Sequence, residues 1–297
     1  MIDKTQNTAP NKKNKRRSIS AEVWRRLRKN KGAMIGLVIA VLLILMALTA
    51  PLLLDYKKDV INQNISERLQ SPSLAHPFGT DDTGRDIMNR IIYGSRYSLS
   101  VGFIAVTVSL LIGVPLGSIA GFYGGKIDNF IMRLADVFLS IPTFLLALVV
   151  VAAIGQSTFN LMLAVGVTSA PSFIRVTRAS VLTARNQDYV EAARAIGVGD
   201  LKIIFRHVLP NSLSPIIVQA TMRVGSAIIT ASTLSFLGMG VSPPTPEWGA
   251  MLSGGRKFIR DYSYMTLFPG MAIMITVLAL NMFGDGLRDA IDPRLKR

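Results

Sequence analysis

Very few residues in this chain could carry covalent or metal chemistry, and their spacing does not assemble a reactive centre. The histidines are His76 and His207 alone, so a histidine-based catalytic site is hard to build. Cysteine is absent, which removes disulfides and thiolate metal ligands and leaves the redox compartment undetermined. His76, Asp81, Asp82 and Asp86 lie together in HPFGTDDTGRD, but that spacing fits neither a zinc pattern nor an EF-hand loop. With Gly79 and Gly84 inside it, the stretch reads as a polar turn. A nucleotide-binding loop is missing as well: GGKI at 124–127 has Ile127 where the hydroxyl belongs, and Ala120 stands at the first glycine position. Neither an HExxH nor a Gly-x-Ser-x-Gly pattern occurs. The chain is therefore not expected to be an enzyme, to bind ATP itself, or to hold a cofactor or metal.

The informative segment is Glu191 to Pro210, EAARAIGVGDLKIIFRHVLP, a polar island between two strongly apolar stretches. Its chemistry is that of contact. Asp188 to Ile196 is rich in Ala and has no β-branched run, so a short helix is predicted, with Gly197 as its C-terminal stop. A second helix follows at once, with Asp200 as N-cap and Leu201, Ile204, Phe205 and Val208 at i, i+3, i+4 and i+7 as one apolar stripe. Leu209-Pro210 is expected to end or bend it. The small residues Ala192, Ala193 and Gly197 would let another surface approach the backbone, while Glu191 and Arg194 offer charged contacts at the rim. The local pattern alone fits an amphipathic hairpin lying on a membrane surface equally well.

Composition sets the surroundings of that segment. Half of the 297 residues are hydrophobic, mean hydropathy is +0.40, and charged residues make up 17% against roughly 25% in soluble domains. Ala33 to Leu54 runs 22 residues without a charge, about 33 Å as a helix, enough to cross a hydrocarbon core of about 30 Å. It is too long, and too far from the start, for a cleaved signal. Five further spans are predicted near 98–122, 137–155, 159–174, 212–237 and 265–284. The net charge of +15 is concentrated at the start, where residues 1–31 hold 11 Lys or Arg against Asp3 and Glu22. A basic block before a first span marks a cytoplasmic tail, and Trp24, Arg25 and Arg26 suit lipid headgroups better than nucleic acid. Residues 1–20, rich in Lys and Asn, are predicted to be disordered.

Within the spans, Gly113, Gly117 and Gly121 at i, i+4 and i+8 form a groove for close helix packing, with Pro115 between them. The fourth span, Phe159 to Ile174, is short and holds Pro171, so an irregular or buried helix is expected. Pro142 and Gly225 mark sites for kinks. Arg223 is the one basic residue well inside an apolar stretch, with Gln219 one turn before it on the same face. A charge there must face water or a partner. Two roles stay open for the pair: lining a translocation pathway, or a structural ion pair with a carboxylate of this or a partner subunit, the latter slightly favoured.

At Glu191-Ala192-Ala193, three residues, Gly197 and, after a further gap, Leu209-Pro210, the spacing resembles the EAA signature of ABC importer permeases. His207 stands where the general signature has Ile, and RHVLPN, Arg206 to Asn211, is similar to the peptide and nickel branch. HPFGTDDTGRD, SFLGMGVSPPTPEWGAML and FGDGLRDAIDPR resemble segments of the C-type subunit of dipeptide and oligopeptide importers, so the resemblance covers most of the chain. It implies an all-α polytopic membrane protein with six transmembrane helices and the type I ABC importer permease fold. It also implies Glu191, Ala192, Ala193, Arg194, Gly197, Leu209 and Pro210 as ATPase-coupling residues. The implied partners are a homologous second permease subunit, two ATPase subunits that bind the ATP, an external substrate-binding protein and membrane lipid. The implied layout is a basic cytoplasmic tail at 1–32, a first transmembrane helix at 33–54 and an external segment at 55–97. A permease core at 98–288 contains the coupling loop 175–211, and a cytoplasmic tail follows at 289–297, with the chain in the inner membrane of a bacterial-type cell.

The rival class is an ion-coupled secondary transporter. Such carriers need acidic or histidine relays within the membrane, whereas Asp136 and Asp285 lie only at span ends. Cargo is not readable: dipeptides, oligopeptides, nickel chelates and other small solutes fit alike.

Overall fold

Capping residues decide where the long helices begin. In the computed structural model, which describes residues 19–291, the Asn30 side chain accepts from the Ala33 N–H at 3.1 Å, Asp86 from Asn89 at 2.8 Å and Ser157 from Asn160 at 3.0 Å. The helices that result are α1 Ile19–Leu27, α2 Lys31–Leu53, α3 Ile87–Tyr123, α4 Gly125–Leu139, α5 Thr143–Ile154 and α6 Thr158–Arg185. There follow α7 Asp188–Ala195, α8 Asp200–Ile203, α9 Leu209–Phe236, α10 Trp248–Gly255 and α11 Tyr264–Ile291. Among the described residues there is no strand, only one isolated bridge between Thr80 and Asp86. The all-α fold expected from the sequence is the fold observed.

Five helices are long and apolar enough to cross a membrane: α2, α3, α6, the run Asp200–Phe236, and α11. A sixth exists only if α4 and α5 count as one span, since they meet at 88°. The kink site expected at Pro142 is thus a full break, and the third span expected at 137–155 is corrected to α4 with α5. Pro142 removes a backbone donor and precedes a new helix, so the chain breaks at Ser140 to Pro142, and α5 with its 12 residues reaches only about 18 Å. The fourth span also differs, because α6 runs 28 residues straight through Pro171. It is the most buried of the membrane candidates, and α2 the least.

At the centre α3 and α6 touch backbone to backbone. A Cβ placed on Gly113 would lie 2.5 Å from the Phe173 Cβ, on Gly117 2.6 Å from the Ile174 carbonyl oxygen, and on Gly121 2.8 Å from the Arg178 carbonyl oxygen. The predicted glycine groove is therefore filled by α6. α9 lies against both helices, and α11 against α9, while α2 is fitted to α11 through Gly36, whose added Cβ would lie 2.6 Å from the Ala279 carbonyl oxygen. The outer face of α2, with Leu48, Leu52 and Leu53 exposed, is left for the acyl chains. α1 is amphipathic and packs Val23 and Leu27 beside Leu287 and Ala290 of α11. Of residues 1–20, expected to be disordered, Ile19 and Ser20 fall in the first turn of α1, whereas residues 1–18 and 292–297, with most of the basic tail and the end of the C-terminal tail, lie outside the described residues.

Gly117→Val should push the pair apart, since branched carbons would meet the Ile174 carbonyl and the Thr177 side chain. Overpacking of this kind costs about 1–3 kcal/mol. The expected result is a lower yield and a lower melting temperature of the detergent-purified protein, whereas Gly254→Ala, with open space around it and no positive φ, should leave the yield unchanged.

Candidate coupling surface

α7 is a two-turn helix held from below. Val190 and Ala193 are buried in a cluster with Phe122, Val181, Ala184, Ile203, Ile204 and Val208. Its first turn carries Asp188 and Glu191, favourable at the positive end of a helix dipole. Gly197 closes it as expected, at φ +79, where a side chain is strained. The Val198 N–H donates to the Ala193 carbonyl at 3.1 Å and the Gly197 N–H to the Arg194 carbonyl at 2.9 Å, the paired bonds of a Schellman stop.

The second helix departs from the prediction in three ways. Gly199, not Asp200, is the N-cap, and Asp200 is the first helical residue. Leu209-Pro210 neither ends nor breaks the helix, which continues to Phe236 as one run. A π turn at Ile204–Val208 sits directly before the proline, with the Leu209 N–H donating to the Ile204 carbonyl. The wider turn gives the ring of Pro210 room and rotates the face that follows. For that reason the buried residues are Ile203, Ile204 and Val208, while Leu201 at 62% and Phe205 at 54% point outward, against the predicted stripe.

The exposed face of this hairpin is therefore more apolar than the sequence pattern implied. Ile196 is 80% exposed, and Leu201 and Phe205 lie on the same segment, with Tyr189, Glu191 and Ala192 also outward. Glu191 makes no hydrogen bond or ion pair among the described residues. Ala193 faces inward, so of the small residues expected to meet a partner only Ala192 and Gly197 are open to one. Arg194 places its guanidinium 5.0 Å from the centroid of the Phe122 ring, at the end of α3. Leu209 is half-buried and Pro210 exposed.

Arg223 is half-buried on α9 and, like Gln219 one turn before it, forms no side-chain hydrogen bond or ion pair among the described residues. Among the described residues, then, no carboxylate of this chain pairs with it. Asp136, which lies outside α9, is bound to Arg175 at 2.6 Å.

Two knots form at the N-terminal half of α3, the first from residues that sequence reasoning did not single out. Glu247, fully buried, accepts from the Gly249 and Ala250 N–H groups at 2.9 and 2.8 Å and from the Ser98 hydroxyl at 3.3 Å. Burial pushes its carboxyl up, against those donors. Trp248 beside it donates through Nε1 to the Ile91 carbonyl at 3.1 Å. The signal was present in PEWGAM, an acidic residue directly before a helix start. Nearby, Asp81 meets Arg85 at 2.6 Å; burial opposes its charge, but Arg85, its backbone N–H, Thr83 and Arg90 together hold the carboxyl below its ordinary range. His76, considered above as a ligand, lies 2.8 Å from the Asp86 carboxylate that caps α3.

Comparison with known proteins fits this architecture. Residues 113–297 match the family described as binding-protein-dependent transport system inner membrane component, and residues 18–72 match the N-terminal transmembrane domain of oligopeptide transport permease C. The chain belongs to that family of ABC importer permeases. It is a multi-pass inner-membrane permease, not an enzyme, and as such works with a partner permease, an ATPase and a binding protein. It is 50% identical over 275 residues to the dipeptide transport system permease protein DppC of Alkalihalophilus pseudofirmus, covering 93% of this chain and 90% of that one. To the glutathione transport system permease protein GsiD of Pectobacterium atrosepticum it is 45% identical over 276 residues, with 93% and 91% covered. An inward-facing structure of the MetNI methionine ABC transporter shares the fold at a TM-score of 0.58 and 18% identity, over 69% of this permease and 98% of that chain.

Gly197→Val should loosen the end of α7 without disturbing membrane insertion, because its surroundings are empty and the cost is backbone strain alone, about 1–2 kcal/mol. Faster hydrogen exchange at the amides of residues 197 and 198, at unchanged abundance, is the expected reading. Exchange at the parental rate would mean that the stop does not depend on φ > 0.

Proposed function

We propose that this permease forms half of the translocation pathway of an ATP-driven importer of dipeptides or oligopeptides. A homologous second permease completes the pathway, two ATPase subunits bind the ATP, and an external binding protein delivers the substrate. The observation that carries the reading is the outward face of the α7–α8 hairpin, where Ile196, Leu201 and Phe205 stand exposed beside the uncommitted carboxylate of Glu191. Such an apolar patch with a charged rim, at the end of a membrane bundle, fits a protein cleft better than lipid headgroups. The coupling set Glu191, Ala192, Ala193, Arg194, Gly197, Leu209 and Pro210 then divides into contact residues and residues that shape the hairpin.

The layout follows the charges. The basic block of residues 1–31 favours a cytoplasmic start, and with α4–α5 counted as a sixth span parity brings loop 175–211 and the C-terminal tail to the same side; 55–97 carries six Lys or Arg as well, so its external position rests on that block and on parity. On this reading 1–32 and 289–297 are tails, 33–54 is the first transmembrane helix and 98–288 the core. The names of the relatives favour peptides as cargo; nickel chelates or another small solute are the alternative, and a gradient-driven carrier finds no acidic relay in the spans. Arg223 and Gln219 face the pathway or the partner permease, since no carboxylate among the described residues pairs with the guanidinium.

Two measurements bear on this reading. Single cysteines at Ile196, Leu201 and Phe205, clean in a chain with no native cysteine, should crosslink to a copurified ATPase subunit. Crosslinks to lipid or to the permease's own helices alone would sink the docking reading. Arg223→Leu should leave assembly intact and lower peptide uptake if the guanidinium lines the route, or lower the yield of the complex if it pairs with the partner permease, where an orphaned charge costs about 3–5 kcal/mol. Parental yield and uptake together would remove both roles.

A further inference from the structure

The cytoplasmic end of α3 is bound three times over by residues that docking alone does not require. Its last turn leaves carbonyls without helical partners, and Arg185 at the end of α6 donates through one guanidinium nitrogen to two of them, Gly121 at 2.9 Å and Phe122 at 3.1 Å. The Phe122 ring is itself buried, and it packs in the same cluster as Val190 and Ala193 on the inner face of α7. Arg194, on α7, lies over that ring. A cation over an aromatic face is attracted by the ring quadrupole, so one phenylalanine is gripped from α6 through its carbonyl and from α7 through its ring.

The geometry points to Phe122 as a positioning residue for energy coupling: with Arg194 stacked on it and Arg185 capping the same turn, it fastens α7 to the α3–α6 pair so that they move as one body. This rests on the reading of α7 as the ATPase docking helix, and it reassigns Arg194. The guanidinium works inside the chain, and the contact with the ATPase is left to Glu191, Ile196, Leu201 and Phe205. The α3–α6 pair can pass on such a movement because its helices meet at backbone distance along Gly113, Gly117 and Gly121, with no soft side-chain layer between them.

The test uses the complete importer in vesicles, with binding protein and peptide, and reads uptake per ATP hydrolysed alongside retention of the ATPase on the tagged permease. Phe122→Leu keeps an apolar side chain in the cluster but removes the ring face. It should lower uptake per ATP by about two- to fivefold, the factor that corresponds to an exposed cation–π contact, while the ATPase stays bound. Arg194→Gln should do the same, Arg194→Lys should recover part of the loss, and the double variant should be no worse than either single one, since both remove one interaction. Phe122→Leu at the parental ratio, or additive losses in the double variant, would overturn the clasp. Release of the ATPase by Arg194→Gln would overturn it as well, by placing Arg194 at the subunit contact. If Phe122→Leu fails to assemble, the surface variant Arg194→Gln decides alone: an unchanged ratio rejects the clasp. A parental complex that retains no ATPase would instead refute the docking reading on which the clasp rests.

Discussion

The contact between α3 and α6 is the constraint from which the other helices take their places. Three glycines a turn apart let α6 come so near that its carbonyls touch the α3 backbone, and neither helix can rotate without a clash. In lipid no hydrophobic effect drives helix against helix, so close packing of this kind has to supply the association. Both helices extend well beyond the apolar stretch that first reveals them, α3 by eleven residues at its start and α6 by eleven at its end. These extensions carry Ile91, which accepts from the Trp248 indole of α10, and Val181, which packs in the cluster with Val190 and Ala193 of α7.

The coupling hairpin shows how a local irregularity decides which face is offered. A regular helix from Asp200 onward would bury Leu201 and Phe205 with Ile204 and Val208. The π turn before Pro210 widens the helix by one residue, turns Leu201 and Phe205 outward and brings Ile203 into the core. Proline at the head of α9 thus acts by shaping the turn that precedes it, and the apolar contact patch is a consequence.

Much of this was readable in the residue pattern. The helical class, the membrane setting, the glycine groove and the stop at Gly197 follow from composition and short-range spacing, because each depends on residues within a turn or two of one another. The 88° bend at Pro142 was only half legible: the proline marks the place, but the length of α5 depends on what covers it. The burial of Leu201 was misjudged because periodicity assumes 3.6 residues per turn, and the π turn violates that assumption. Contacts distant in sequence, such as Glu247 with Ser98 or Arg194 with Phe122, leave no periodic trace. Their local ingredients, a cap before α10 and an exposed arginine on α7, were visible while their partners were not.

α3 is 37 residues long, about 55 Å of helix, and it is held at both ends by different chemistry. Toward its start, a buried carboxylate and an indole tie it to α10 by hydrogen bonds that tolerate little displacement. Toward its end, Arg185 of α6 holds two carbonyls of the last turn, and an apolar cluster with a cation over the Phe122 ring fastens it to α7. On the proposed topology the Glu247 knot lies outside the membrane and the Phe122 contacts lie in the cytoplasm, so a displacement of α7 is handed to a helix that is tied at its far end as well.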